Sequence, residues 1–243
     1  MGTPAGPVTP GHIASVTWMA SDEFREIHEA YESVAGPGGV YFRPTDDGIK
    51  VIALLDEAPA YVGVRSKRGV KDHTLSEYLR APSREDIERI WAGFLEYLPT
   101  ICRKSTEERG VIRFIREALR DGLRLPKMGG DWLFLNQEWR WGVRAKSDVL
   151  AVHGPTGRLG IIEFKSSGEG EAVRRAIEEA KEYAGYWVQD SEALAPFFTE
   201  VLRVNASLYG NREAETASVS TEDAALFYGI ARPGYLEVQE FRQ

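Results

Sequence analysis

Two carboxylates and one amine occur in this chain at a spacing that can do chemistry. Glu163 and Lys165 flank Phe164 at the end of the apolar run Gly160-Ile161-Ile162, and Asp148 stands fifteen positions before Glu163. Asp148 itself opens a second apolar run, Val149-Leu150-Ala151-Val152. Residues 153–158, between the runs, are rich in turn formers, so the two runs read as adjacent strands of an antiparallel hairpin. In such a hairpin the start of one strand lies beside the end of the next, which brings Asp148 to Glu163. Side chains alternate along a strand, so Glu163 and Lys165 share a face while Phe164 points to the other. Two acids and an amine gathered at one sheet end make a metal site with a cationic helper, a set suited to cutting a phosphodiester. Glu-x-Lys alone is a weak signal, because alternating charge on a solvated strand face produces it by chance. Asp148, the turn and the apolar strands are what give it weight.

The elements that must hold this set can be read on either side of it. Upstream, Ser105 or Thr106 caps a helix running to Arg120, with Val111, Ile112, Ile115 and Leu119 as its buried stripe. A Gly-rich linker and a strand over residues 132–143 lead into the hairpin. Downstream, a turn at 166–170 opens a helix over 171–187, whose apolar face is Val173, Ala176, Ile177, Ala180, Tyr183, Ala184 and Trp187. A strand over 201–208, a short helix over 221–227 and a last strand over 235–241 complete this part. The pattern predicts an α/β (α+β) domain, residues 101–243, with helices flanking a central mixed sheet.

Residues 1–100 read as a smaller N-terminal α+β domain. Its expected elements are a helix over 21–33 capped by Ser21, with Phe24, Ile27, His28 and Tyr31 on one face, and strands over 40–43, 49–55 and 60–64. Helices over 74–80 and 83–97 follow, the second ended by Pro99. Residues 1–11, rich in Gly and Pro, are expected to be poorly ordered. This domain matches no named module and is expected to bind substrate or a protein partner.

Bulk composition narrows the class. At 243 residues, 43% hydrophobic and 28% charged, the chain has the balance of a soluble globular protein. No apolar stretch is long enough to span a membrane, and the first residues lack the pattern of a signal peptide, so the expected location is cytoplasmic. The single cysteine, Cys102, excludes an internal disulfide and a thiolate zinc cluster. A net charge of −7 argues at first against a nucleic-acid partner. Its distribution argues the other way: residues 101–181 hold 16 Lys/Arg against 12 Asp/Glu, while both flanking segments are acidic. The local field, not the total, draws a phosphate backbone.

The succession of helix, strand, Asp strand, Glu-x-Lys strand, helix and strand resembles the PD-(D/E)XK nuclease superfamily over residues 105–243. The resemblance implies a restriction-endonuclease-like core and Mg²⁺- or Mn²⁺-dependent hydrolysis of DNA. An endonuclease of restriction and defence, or of DNA repair and recombination, is the activity it suggests. Asp148 stands at the motif's aspartate, Glu163 at its second acid and Lys165 at its lysine. The acid that many members carry on the upstream helix is best matched by Glu108, with Glu107 its close competitor. The implied metal ligands are Asp148, Glu163, the Phe164 carbonyl and Glu108, with one or two ions. Lys165 would orient or deprotonate the attacking water, or stabilise the transition state. Many such enzymes are dimers, and a homodimer is expected.

The chain departs from the pattern in two places. Ser147, not proline, precedes Asp148. Where the RecB-like members carry Gln-x-x-x-Tyr on the helix after the lysine, this chain has Glu179 and Tyr183.

Further candidates for contact with nucleic acid are Arg140, Arg144 and Lys146, interleaved with Trp139 and Trp141, together with Arg174, Arg175 and Tyr183. The tryptophans read more readily as core. The basic turn at 65–71 is an ordinary charged turn as readily as a DNA contact, and the four histidines show no ligand spacing. Two other readings stand beside the nuclease. One is a non-catalytic nuclease-fold module that binds nucleic acid or a protein. The other is a role unrelated to nucleic acid, in which the carboxylates are incidental.

Overall fold

The computed structural model describes residues 8–55, 59–61, 83–101, 106–128, 131–141, 145–232 and 234–241. The chain divides into two compact units, Val8–Lys104 and Ser105–Gln243. The expected helix over 74–80, the basic turn at 65–71, Cys102 and Arg144 lie outside the described residues.

The Val8–Lys104 unit contains helices α1 (Pro10–Met19), α2 (Asp22–Ala35) and α3 (Arg84–Ile101) and strands β1 (Val40–Thr45), β2 (Gly48–Leu54) and β3 (Pro59–Tyr61). The strands form one antiparallel sheet in the order β1-β2-β3. In α2 the expected stripe of Phe24, Ile27, His28 and Tyr31 is buried, and the Ser21 hydroxyl accepts from the Phe24 N–H at 3.2 Å. Phe24 and Tyr31 meet Phe42 of β1 edge-on, which joins helix to sheet.

Two expectations need correction here. Residues 8–11 are not a disordered tail: α1 starts at Pro10, held by a reciprocal capping box between Thr9 and His12. Helix α3 also runs past Pro99 to Ile101.

The Ser105–Gln243 unit opens with α4 (Thr106–Arg120), followed by β4 (Trp132–Gln137), β5 (Val149–His153) and β6 (Leu159–Lys165). A long helix, α5 (Gly170–Leu208), then leads to β7 (Ala225–Arg232) and β8 (Tyr235–Phe241). The sheet order is β4-β5-β6-β7-β8, antiparallel throughout except for the parallel β6–β7 pair. A parallel neighbour needs a crossover connection, and α5 supplies it. Helices cover both faces of β6. The Phe164 ring meets Phe114 of α4, and Lys165, one residue along, meets Glu179 of α5.

Close contacts fix α4 and β7 on the Phe164 side. A Cβ on Gly110 would stand 2.2 Å from the Ala231 Cβ, and one on Gly229 would stand 2.3 Å from the Phe164 ring. Only glycine lets the helix and the ring come this near.

The architecture is thus a mixed α/β arrangement, a mixed five-stranded sheet with helices and a small antiparallel sheet in the other unit. Three expected elements differ from those found. Residues 201–208 are the last turns of α5, not a strand. Val201 and Val204 favour strands, but Glu200, Arg203 and Ser207 are the exposed positions, at helical spacing. Residues 221–227 are not a helix. The Glu222 carbonyl accepts from Trp187 Nε1 at 2.8 Å and the Asp223 carbonyl from Arg158 Nε at 2.8 Å, and these bonds hold the segment extended into β7. The strand expected over 132–143 stops at Gln137, because Glu138 takes a left-handed conformation with φ 55°.

Candidate active site

The hairpin register brings the acids together. Val149 of β5 pairs with Ile162 of β6, so Asp148 and Glu163 are the next residues along the ladder and face each other across it. The Asp148 Oδ2 accepts the Phe164 N–H at 2.8 Å, taking the place of a strand partner just before β5 begins. A residue's N–H and C=O leave a strand on the same side, so the Phe164 carbonyl is directed to the Asp148 edge as well.

The backbone of Asp148 is fixed from β4. Its carbonyl accepts from the Glu138 N–H at 2.9 Å, and the Ser147 N–H donates to the Trp139 carbonyl at 3.1 Å. Ser147 is fully buried, and its hydroxyl accepts from Trp141 Nε1 at 3.1 Å. A serine before the aspartate therefore serves to anchor a core tryptophan. Trp139 packs edge-on to Phe198 of α5, so both tryptophans are core.

Glu163 is 5% exposed, and its Oε2 accepts no hydrogen bond. Its Oε1 accepts from Lys165 Nζ at 2.7 Å, and the same ammonium donates to Glu179 Oε2 at 2.6 Å. Glu179 Oε1 accepts from Arg175 Nε at 2.8 Å. Four side chains are thus bonded in succession from the sheet outward: Glu163, Lys165, Glu179, Arg175.

Burial and like charge set the electrostatics. Burial, followed by the charge of Asp148, pushes the Glu163 carboxyl up to about 9, and the Lys165 ammonium does not reverse it. Asp148 is raised to about 6, again by burial, with the Phe164 N–H and Lys165 pulling the other way. For Lys165, burial opposes the charge, but Glu163 and Glu179 outweigh it and hold the amine above its ordinary value. Glu179 is lowered despite its partial burial, because Glu163, Lys165 and Arg175 stabilise its ionised form. Tyr183 is raised by burial first, and then by the charges of Glu163, Glu179 and Asp148.

The helix acid that reaches this end of the sheet is Glu107. Its Oε2 accepts the Ser166 N–H at 3.0 Å, and its charge acts on Asp148. Glu108 is exposed on the next position of α4. Lys146 is half-exposed, bonded to Glu138 at 2.9 Å, and its charge also reaches Asp148. Arg140 is exposed and bridges backbone to backbone with Lys146. Arg174 is exposed and paired with Glu178 at 3.2 Å. The sequence pattern signalled Glu179 only as a departure, and nothing in it showed that this acid would hold Lys165.

Among the described residues no three His, Cys, Asp or Glu side chains stand close enough to hold a metal ion by themselves. Two carboxylates, a strand-end carbonyl and water remain a reasonable donor set for a hard cation. The buried Glu163 oxygen without a hydrogen bond, beside a second raised carboxyl, is the feature that a divalent ion would satisfy.

Comparison of the chain with protein-family models, with curated proteins and with solved structures returned no match. Among the described residues no helix is long and apolar enough to cross a membrane.

Proposed function

We propose that the chain is a divalent-metal-dependent nuclease acting on DNA, with a restriction-endonuclease-like core of the PD-(D/E)XK type. One observation carries the reading. Asp148 and Glu163 lie side by side at a strand end, Glu163 buried and Asp148 half-buried, with an oxygen of Glu163 lacking any hydrogen bond and the Lys165 ammonium 2.7 Å from its other oxygen. A buried carboxylate oxygen left without a partner beside a second carboxyl costs stability, so a merely structural site would gain by replacing it.

Asp148, Glu163 and the Phe164 carbonyl would hold Mg²⁺ or Mn²⁺, with water completing the shell. The ion supplies a Lewis acid at the scissile phosphate and a lowered pKa for the attacking water. Lys165, held between Glu163 and Glu179, would present its positive charge to the phosphorane-like transition state. Glu107, which bonds to the Ser166 N–H at this end of the sheet, would be the helix acid that assists the ion, in preference to Glu108. Lys146 and Arg140 at the mouth of the hairpin suit backbone contact.

The reading is tested by incubating supercoiled, linear and single-stranded DNA with the protein and Mg²⁺ or Mn²⁺. Metal-dependent cutting by the wild type, lost in Asp148→Ala and Lys165→Ala, supports it. Folded wild-type protein that cuts none of these with either metal contradicts it.

A further inference from the structure

We infer that Glu179 is a positioning residue for Lys165, and that Arg175 fixes Glu179 in that role. The inference rests on the nuclease reading for its catalytic consequence, but its geometry does not depend on it. The Lys165 ammonium has two anchors, Glu163 Oε1 at 2.7 Å and Glu179 Oε2 at 2.6 Å. Both are short, charge-assisted bonds, about twice as strong as neutral ones. They differ in what a divalent cation would do to them. Glu163 is the carboxylate the ion would claim, and an ion on its Oε2 would draw charge away from its bond to Lys165. Glu179 is not among the proposed ligands, so its bond to the amine would persist.

The remaining oxygen of Glu179 is occupied from the other side. Arg175, one helical turn earlier on α5, donates its Nε to Oε1 at 2.8 Å. Each oxygen of Glu179 therefore serves one cation, and the carboxylate has little freedom to rotate. The Arg175 side chain is 73% exposed against 23% for Glu179, so its terminal nitrogens face solvent while its Nε stays on the acid. A long, flexible lysine stem is thereby held at a defined point by a carboxylate on a helix, itself clamped by an arginine. A glutamine at position 179 would offer Lys165 only a neutral oxygen. The acid gives the amine a full counter-charge.

The experiment compares full-length wild type, Glu179→Gln and Glu179→Ala, with Lys165→Ala as reference. The first readout needs no activity: acetylation of Lys165 by limiting acetic anhydride in metal-free protein, followed by peptide mass mapping. The rate rises several-fold in Glu179→Ala and less in Glu179→Gln, whose size preserves the fold and whose oxygen still accepts. Equal rates in all three folded proteins overturn the proposal. The second readout is DNA cleavage at saturating Mn²⁺. In Glu179→Ala kcat falls about 10²-fold with KM unchanged, as for a displaced catalytic group, and Glu179→Gln recovers part of the loss. A rise in KM alone overturns the proposal, and so does a loss of Mn²⁺ affinity by calorimetry, which would make Glu179 a ligand. Wild type that cuts no DNA overturns the nuclease reading, while the acetylation rates still decide whether Glu179 holds Lys165.

Discussion

His28 and Glu163 are both titratable and both buried, one in each unit, and burial acts on them in different company. In the Val8–Lys104 unit the His28 ring lies against Phe42, with centroids 5.5 Å apart, and burial pushes its pKa down to about 4. The ring is neutral at pH 7 and behaves as part of an aromatic core with Phe24, Tyr31 and Phe42. At the ends of β5 and β6 burial also drives Glu163 toward its neutral form, but Asp148, Lys165 and Glu179 crowd round it. One region resolves burial by removing a charge. The other holds charges of both signs within hydrogen-bond reach. That second arrangement costs stability for no gain in packing, which is why we propose it as the functional end of the molecule.

The comparison is broken most sharply by substitutions that remove a charge from each region. Lys165→Ala and Asp148→Ala should each lower metal-dependent DNA cleavage by about 10²-fold or more, the scale of losing one electrostatic contact to the transition state. Replacing His28 by Gln should leave kcat and KM unchanged. An effect of His28→Gln on cleavage as large as that of Lys165→Ala would remove the distinction.

Stability against pH separates the regions by sign. His28 has a folded pKa below its unfolded value, so the native state binds fewer protons than the unfolded one between about pH 4 and 6.5. Its contribution is present above pH 6.5 and lost as pH falls through 4, a change on the order of 3 kcal/mol. Glu163 has a folded pKa above its unfolded value, so its contribution is complete below the ordinary carboxylate range and lost as pH rises toward about 9. In thermal melts of metal-free protein, His28→Gln should flatten the acid limb relative to wild type and Glu163→Gln the alkaline limb. Parallel curves for Glu163→Gln and wild type above pH 6 would show that Glu163 is not held neutral.

The smallest effect belongs to the outer face of α5. Arg174 pairs with Glu178 and is 68% exposed, so Arg174→Gln should change stability by no more than about 0.5 kcal/mol. If it touches DNA, the salt dependence of binding, read by fluorescence anisotropy, should fall by about one unit of slope.

The hairpin that joins Asp148 to Glu163 was legible in the sequence, because a turn-rich loop between two apolar runs leaves one register that buries both. Lys165 followed from strand alternation. The choice between Glu107 and Glu108 was not legible: adjacent helix residues differ by about 100°, and the rotation of α4 is set by the Gly110–Ala231 contact far along the chain. Residues 201–208 misled through their valines, since the helix there is decided by packing, with Asn205 Nδ2 donating to the Leu135 carbonyl at 2.8 Å. Thr221-Glu222-Asp223 resembled a helix start, but tertiary bonds from Trp187 and Arg158 claimed its carbonyls. The link from Glu179 to Lys165 joins residues 14 apart on different elements, and no local pattern encodes it.

The proposed nuclease requires Asp148 and Glu163 to take a divalent cation together. Calorimetric titration of Mn²⁺ into wild type, Asp148→Asn and Glu163→Gln tests it most directly. Saturable binding by the wild type, abolished in both folded variants, is the predicted result. Binding of equal strength in all three, or none in the wild type at millimolar Mn²⁺, would contradict it.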